Sequence, residues 1–185
     1  MVLSRNSQRR WPQAAFKDAA KSFPRMKLPE GSSFSIRPAV MRDLDTLAAI
    51  DAVCFPTGIA YPREEILFLL LNPTIMIVVA ECAGIIIGFA ALERRRRTRK
   101  TARNGELVTI EVLPEFRGET IGTALYQTLE DHLRDWGGSS IHLHVSVDNT
   151  VAFSFYRRLG YRVVNRIPQY YLRKIDAWQM EKNLP

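Results

Sequence analysis

An α/β fold in a single domain is what this sequence predicts, and three observations carry that reading. An apolar, β-rich run at 107–112 passes through a short loop into Leu125, Leu129, Leu133 and Trp136 at helical spacing, so a strand feeds a helix. Two apolar runs, 75–81 and 84–92, flank Ala83-Gly84 and read as a β-hairpin. The segment 141–145, Ile-His-Leu-His-Val, alternates strictly as a half-buried strand does, and a helical pattern over 150–159 follows until Gly160 stops it.

The remaining elements fall into place in chain order. Residues 1–33 mix Arg, Lys, Ser, Gln and Pro without sustained periodicity and read as a basic, disordered arm; the folded domain spans 34–185. Arg9-Arg10 is followed by no apolar stretch and does not make an export signal, while the scarcity of acids is also what an organelle-targeting segment or an over-long start would show. A strand is expected at 34–37, helices at 43–54 and 63–71 on either side of a Phe55-Pro56 break, and strands at 106–112, 161–165 and 177–181.

Composition excludes several classes. With 185 residues and 46% apolar content there is room for one well-buried domain but not two. No apolar run approaches the roughly 18 residues a membrane span needs, so a soluble protein without membrane contact is expected. Cys54 and Cys82 lack C-x-x-C spacing and read as buried reduced thiols, which fits a cytoplasmic location. His142 and His144 share a strand face, but the third histidine, His132, is on a helix and no acidic cluster completes a ligand set, so no metal is expected. The net charge of +7 is unevenly distributed: residues 1–33 carry +5 and residues 94–103 carry +7, which leaves the body mildly acidic. The 94–103 run reads either as a solvated loop between strands or as a collar for acidic peptides, ribosomal RNA or a ribosome surface.

The most informative stretch is V-L-P-E-F-R-G-E-T-I-G-T-A at 112–124. Its loop ends at a helix N-terminus, where the first N–H groups lack intrahelical partners and the dipole favours anions, so a diphosphate can be held by main chain. Arg117 adds charge; Gly118 and Gly122 permit close approach. The bland alternative is a junction that needs glycine only for packing.

Arg117-Gly118-Glu119-Thr120-Ile121-Gly122 resembles the coenzyme-binding motif of the GNAT acetyltransferases, Q/R-x-x-G-x-G/A, with Thr120 in place of the usual glycine. The run Asn149-x-x-Ala152-x-x-x-Tyr156-x-x-x-Gly160-Tyr161 resembles the second signature of that family. Across 34–184, the His142–Val145 segment, the run Phe155-Tyr156-Arg157-Arg158-Leu159-Gly160-Tyr161, and Tyr170-Tyr171 ahead of Asp176-Ala177 are similar to protein N-terminal acetyltransferases of the NatE catalytic-subunit and ribosomal-protein-alanine types. The resemblance implies a GNAT fold: one mixed, mostly antiparallel sheet with a splayed parallel pair of central strands and about four helices. It also implies acetyl-CoA as cosubstrate, held by Ile110, Val112, Arg117, Gly118, Thr120, Ile121, Gly122, Thr123, Asn149 and Tyr156. Tyr156 would aim its hydroxyl at the thioester sulfur. Phe55, Pro56, Tyr61, Tyr170 and Tyr171 would close over a peptide or protein N-terminus as acceptor.

Chemistry points to the same groups. An amine attacks a thioester only when neutral, and a peptide α-amine, with pKa about 7.7–8.0 against about 10.4 for lysine, needs only a weak base acting through water. His144 is matched to that task, as it is by the resemblance, and Glu106 at the start of its strand reads either as the second arm of the water site or as an exposed strand-end carboxylate. Glu111 is a weaker alternative, expected to face away from residues 108, 110 and 112. Two other readings stay open: a GNAT enzyme for a small amine or protein lysine, and a catalytically dead scaffold that binds RNA or the ribosome.

Overall fold

A computed structural model describes residues 33–56, 58–96, 103–118 and 120–185. The arm expected over 1–33 therefore lies, up to residue 32, outside the described residues, as do Thr57, Glu119 and 97–102 of the basic run. β1 (Ser35–Pro38) leads through a 3-10 turn (Met41–Asp43) into α1 (Leu44–Cys54) and α2 (Arg63–Leu71). Then follow β2 (Ile75–Cys82), β3 (Ile85–Arg96), β4 (Arg103–Val112), α3 (Ile121–Asp135), β5 (Gly138–Ser146), α4 (Thr150–Arg158), β6 (Arg162–Tyr171) and β7 (Ile175–Asn183).

The strands form one sheet in the order β1-β2-β3-β4-β5-β7-β6. Among the described residues only β4 and β5 pair in parallel, and their register runs from Arg103↔Gly138 to Glu106↔His142 and stops there. Beyond that rung β4 stays with β3 as far as Val112, while β5 pairs with β7 as far as Ser146. The two central strands thus splay apart and open a cleft between them.

Packing follows from sequence spacing. On α3, Leu125, Leu129 and Leu133 recur every four residues, and all three are buried against the sheet. Leu133 lies so close to the parallel pair that a Cβ added at Gly105 or Gly138 would come within 2.6 or 2.4 Å of its side chain, which is why both positions are glycine. Glu130, on the same helix, accepts from Lys182 of β7 at 2.5 Å and from Arg134, tying α3 across to the far half of the sheet.

Two expectations need correction. The run 94–103 is not a loop throughout: Arg94–Arg96 extend β3 and Arg103 begins β4. Arginine is a poor strand former in isolation, but here the alternation gives each side chain a partner. Arg95 points to the cleft face and bonds Glu93 at 3.1 Å and Glu106. Arg94, Arg96 and Arg103 point the other way and surround the Trp136 ring at 5.6, 5.8 and 5.2 Å, contacts worth about 0.5–1 kcal/mol each when exposed. Likewise β6 continues past 165 to Tyr171 in spite of Pro168. It is an edge strand, where a missing N–H is tolerated, and its register is irregular between Ile167 and Tyr171.

Candidate active site

Glu106 occupies the last rung of the parallel pair, and His144 lies two residues beyond its rung partner His142, so both side chains project into the cleft where the strands part. His144 Nδ1 is 3.8 Å from Glu106 Oε1, with the side chains 18% and 13% exposed. That separation is too long for a direct hydrogen bond and suits one bridging water. Burial, then the Arg95 guanidinium and His142, hold the His144 imidazole below its usual range. Burial pushes the Glu106 carboxyl up, against the pull of Arg95. The pair is therefore a neutral imidazole beside a carboxyl group and not an ion pair, despite the short distance. A β-bulge between Leu107 and Thr109 returns Glu111 to the same face of the sheet as Glu106, since their β3 partners Phe89 and Glu93 share a face. Glu111 is buried farther along β4 and accepts from Thr109 Oγ1 at 2.6 Å.

Sequence reasoning missed the surroundings of this pair. Glu93, Glu106, His142, Glu181 and Arg162 occupy consecutive rungs across five strands. Along that line, Arg95 joins Glu93 to Glu106, His142 sits 3.8 Å from Glu181, and Arg162 reaches Glu181 at 3.3 Å. The signal available was parity: Glu93 and Arg95 share a face if the strand runs on into the arginines.

A cavity of about 400 Å3 lies over the pair, lined among others by Phe55, Pro56, Tyr61, Glu106, Ile110, His144, Asn149, Tyr156, Tyr170 and Tyr171. The fold thus gathers all three expected catalytic residues and all five expected substrate residues around one space. Tyr170 stacks on the His144 ring at 4.8 Å, and the Tyr171 hydroxyl donates to the His144 carbonyl at 3.0 Å, so the β6–β7 hairpin fixes the imidazole from above. On the opposite wall, fully buried Asp51 accepts from the Tyr61 N–H at 2.6 Å and holds the end of the α1–α2 loop; this residue too was missed. Asn149 caps α4, its side-chain oxygen accepting from the Ala152 N–H at 3.0 Å.

Val112, Arg117, Gly118, Thr120, Ile121, Gly122 and Thr123 gather instead at the N-terminus of α3, beside the mouth of this cavity. Ile121 is buried in the core, so only its main chain can serve a ligand. Thr120 makes no side-chain cap, which leaves the first N–H groups of the helix to an anion. A Cβ on Gly122 would meet nothing closer than the Phe155 ring at 3.6 Å, so packing alone does not require glycine there. These features fit the diphosphate of a coenzyme. Leu113 N–H bonds to Ile87 on β3, so by antiparallel alternation the polar groups of Val112 turn away from β3 toward the splay. Its carbonyl accepts from Arg117 Nε at 3.0 Å, which leaves its N–H facing the site where a thioester carbonyl would lie.

Two expected results arise here. Arg117→Ala removes a cation next to the diphosphate position and should weaken acetyl-CoA binding tenfold or more, on the order of 1.4 kcal/mol, by calorimetry. Unchanged affinity would move the coenzyme elsewhere. Thr120 has φ +26, a conformation β-branched residues resist. Thr120→Gly should relieve about 1–3 kcal/mol of strain against about 0.5–1 kcal/mol of added chain entropy, so thermal unfolding should shift upward. A lower midpoint would show that the threonine is not strained.

Neither cysteine offers a nucleophile. Burial pushes the Cys54 thiol up to about 12, and Cys82 is buried with its sulfur donating to the Ser33 carbonyl. Among the described residues no group of three His, Cys, Asp or Glu side chains could hold a metal, and no helix is long and apolar enough to cross a membrane.

A sheet that splays at a parallel pair, a helix N-terminus at the mouth of the splay and a histidine beside a carboxyl group at its floor are the features of an acyl-coenzyme-dependent N-acyltransferase. A profile of the acetyltransferase (GNAT) family matches residues 44–161. The chain is 35% identical over 152 residues to an uncharacterised N-acetyltransferase of Methanocaldococcus jannaschii, covering 81% of this chain and 92% of that protein. It is 27% identical over 158 residues to an N-alpha-acetyltransferase of Sulfurisphaera tokodaii, covering 82% and 93%. Among solved structures, Arabidopsis thaliana NAA60 in complex with acetyl-CoA is similar with a TM-score of 0.73 at 21% identity, covering 82% of this chain and 99% of that one. The chain belongs to the acetyltransferase (GNAT) family and is an acetyl-CoA-dependent N-acetyltransferase.

Proposed function

We propose that the protein acetylates the α-amine of peptide or protein N-termini by direct attack, with no acyl-enzyme. The observation that carries this reading is the His144–Glu106 pair, 3.8 Å apart at the floor of an aromatic-walled cavity. A neutral, partly desolvated imidazole is a weak base, sufficient for an α-amine at about 7.7–8.0 and poorly matched to a lysine at about 10.4. The Tyr170–Tyr171 hairpin and the Phe55–Tyr61 loop flank the cavity from opposite sides and favour a chain end over a side chain in mid-sequence. The name of the Sulfurisphaera tokodaii relative supports the same acceptor.

In this reading acetyl-CoA supplies the acetyl thioester, and the chain's residues do the rest. His144 and Glu106 hold the water that takes the ammonium proton. The Val112 N–H polarises the carbonyl, and the Tyr156 hydroxyl serves the departing sulfur. The test is a panel of short peptides with acetyl-CoA in which free and blocked N-termini are compared. Product should form only on free N-termini. Equal turnover of blocked peptides carrying an internal lysine would replace this reading with a lysine acetyltransferase, and turnover of neither would indicate a small-amine acceptor.

A further inference from the structure

We propose that Arg94, Arg96 and Arg103, grouped around Trp136, form a binding patch for a single-stranded nucleic acid segment on the face of the sheet opposite the catalytic cleft. The three guanidiniums all lie within 6 Å of one indole centroid, so no two are more than about 12 Å apart. Their mutual repulsion works against the stacking. Among the described residues no carboxylate pairs with any of them, whereas Arg37, Arg63, Arg134 and Arg166 each face one. Backbone contacts hold two of them in place, Arg94 donating to the Pro73 carbonyl at 2.9 Å and Arg103 to that of Trp136, while Arg96 rests on the Trp136 ring.

An uncompensated cluster of planar cations is matched by closely spaced phosphates, and the outer guanidinium planes also offer stacking surfaces to unpaired bases. An acidic protein would satisfy the charge but leave the stacking surfaces unused, which is why nucleic acid is favoured. Parity keeps the two functions apart. Arg95, between two of these residues, turns to the cleft and bonds Glu106, while its neighbours turn to Trp136. A strand bound at the patch would therefore leave the cleft open to an acceptor, whatever that acceptor proves to be.

The experiment titrates labelled oligouridylate, and oligodeoxythymidylate of equal length, into the full chain at several salt concentrations while tryptophan emission is followed. Binding with a change in emission is expected. The Arg94→Gln/Arg96→Gln/Arg103→Gln variant should bind at least tenfold more weakly and flatten the dependence of log Kd on log salt by about 2, at about 0.7 per phosphate contact on a single strand. Its acetylation of peptides and its melting should match the parent. Should that variant fail to fold, Arg96→Gln alone, which loses only the stack on Trp136, should lower affinity about threefold with a slope change near 0.7. A preference for the uridylate assigns the patch to RNA, and equal binding extends it to single-stranded nucleic acid of either kind; both support the proposal. Unchanged affinity in the variants overturns it. Displacement of the oligonucleotide by polyglutamate at equal charge concentration also overturns it, in favour of an acidic protein.

Discussion

Replacing His144 by alanine is expected to lower turnover about 10²-fold at neutral pH, the usual cost of losing a general base, while acetyl-CoA affinity stays unchanged. The imidazole is held from three sides: Tyr170 stacks on it, Tyr171 bonds its backbone, and Glu106 sits 3.8 Å from Nδ1. Because burial and Arg95 lower its pKa, the neutral base persists below the ordinary histidine range, and parent activity should fall only as the pH drops through that lowered value. At the alkaline end the α-amine loses its proton unaided, so the deficit of the variant should shrink above about pH 8. A pH series of initial rates decides the matter. A deficit that is constant with pH would make His144 a positioning residue, and full activity in His144→Ala together with loss in Glu111→Ala would move the chemistry along the same face of β4 to Glu111.

Much of this site was legible because each signal depended on local spacing. Alternation placed His142 and His144 on one face, and the glycine-bearing loop marked the start of α3. What escaped depended on partners distant in sequence. Nothing near Arg95 announces that it reaches Glu106, since the contact exists only because β3 runs on through three arginines that propensity assigns to a loop. Asp51 reads as an ordinary polar residue of a helix until the following loop folds its Tyr61 N–H back onto the carboxylate. The length of β6 was hidden for the opposite reason: Pro168 is a sound stop signal in a central strand and a weak one at an edge, and only topology tells which applies. The splay of the parallel pair came from resemblance, because no single strand carries it.

Tyr156→Phe is the substitution that best separates chemistry from packing. The ring is 8% exposed and stands edge-to-face against Phe155 at 5.5 Å and Tyr161 at 5.8 Å, so a purely structural reading is available. Phenylalanine keeps every one of those ring contacts and deletes only the hydroxyl, so stability should change by about 1 kcal/mol or less. If the hydroxyl serves the departing thiolate, its interaction strengthens as charge develops on sulfur, and its loss should appear in the transition state alone. Turnover and kcat/KM should then fall together, by about 10², with acetyl-CoA affinity by calorimetry nearly unchanged. A lowered melting midpoint with turnover and affinity reduced in proportion would assign Tyr156 to the core. An unchanged turnover would mean that sulfur leaves without help from this side chain, and that the cavity wall it forms serves only to shape the site.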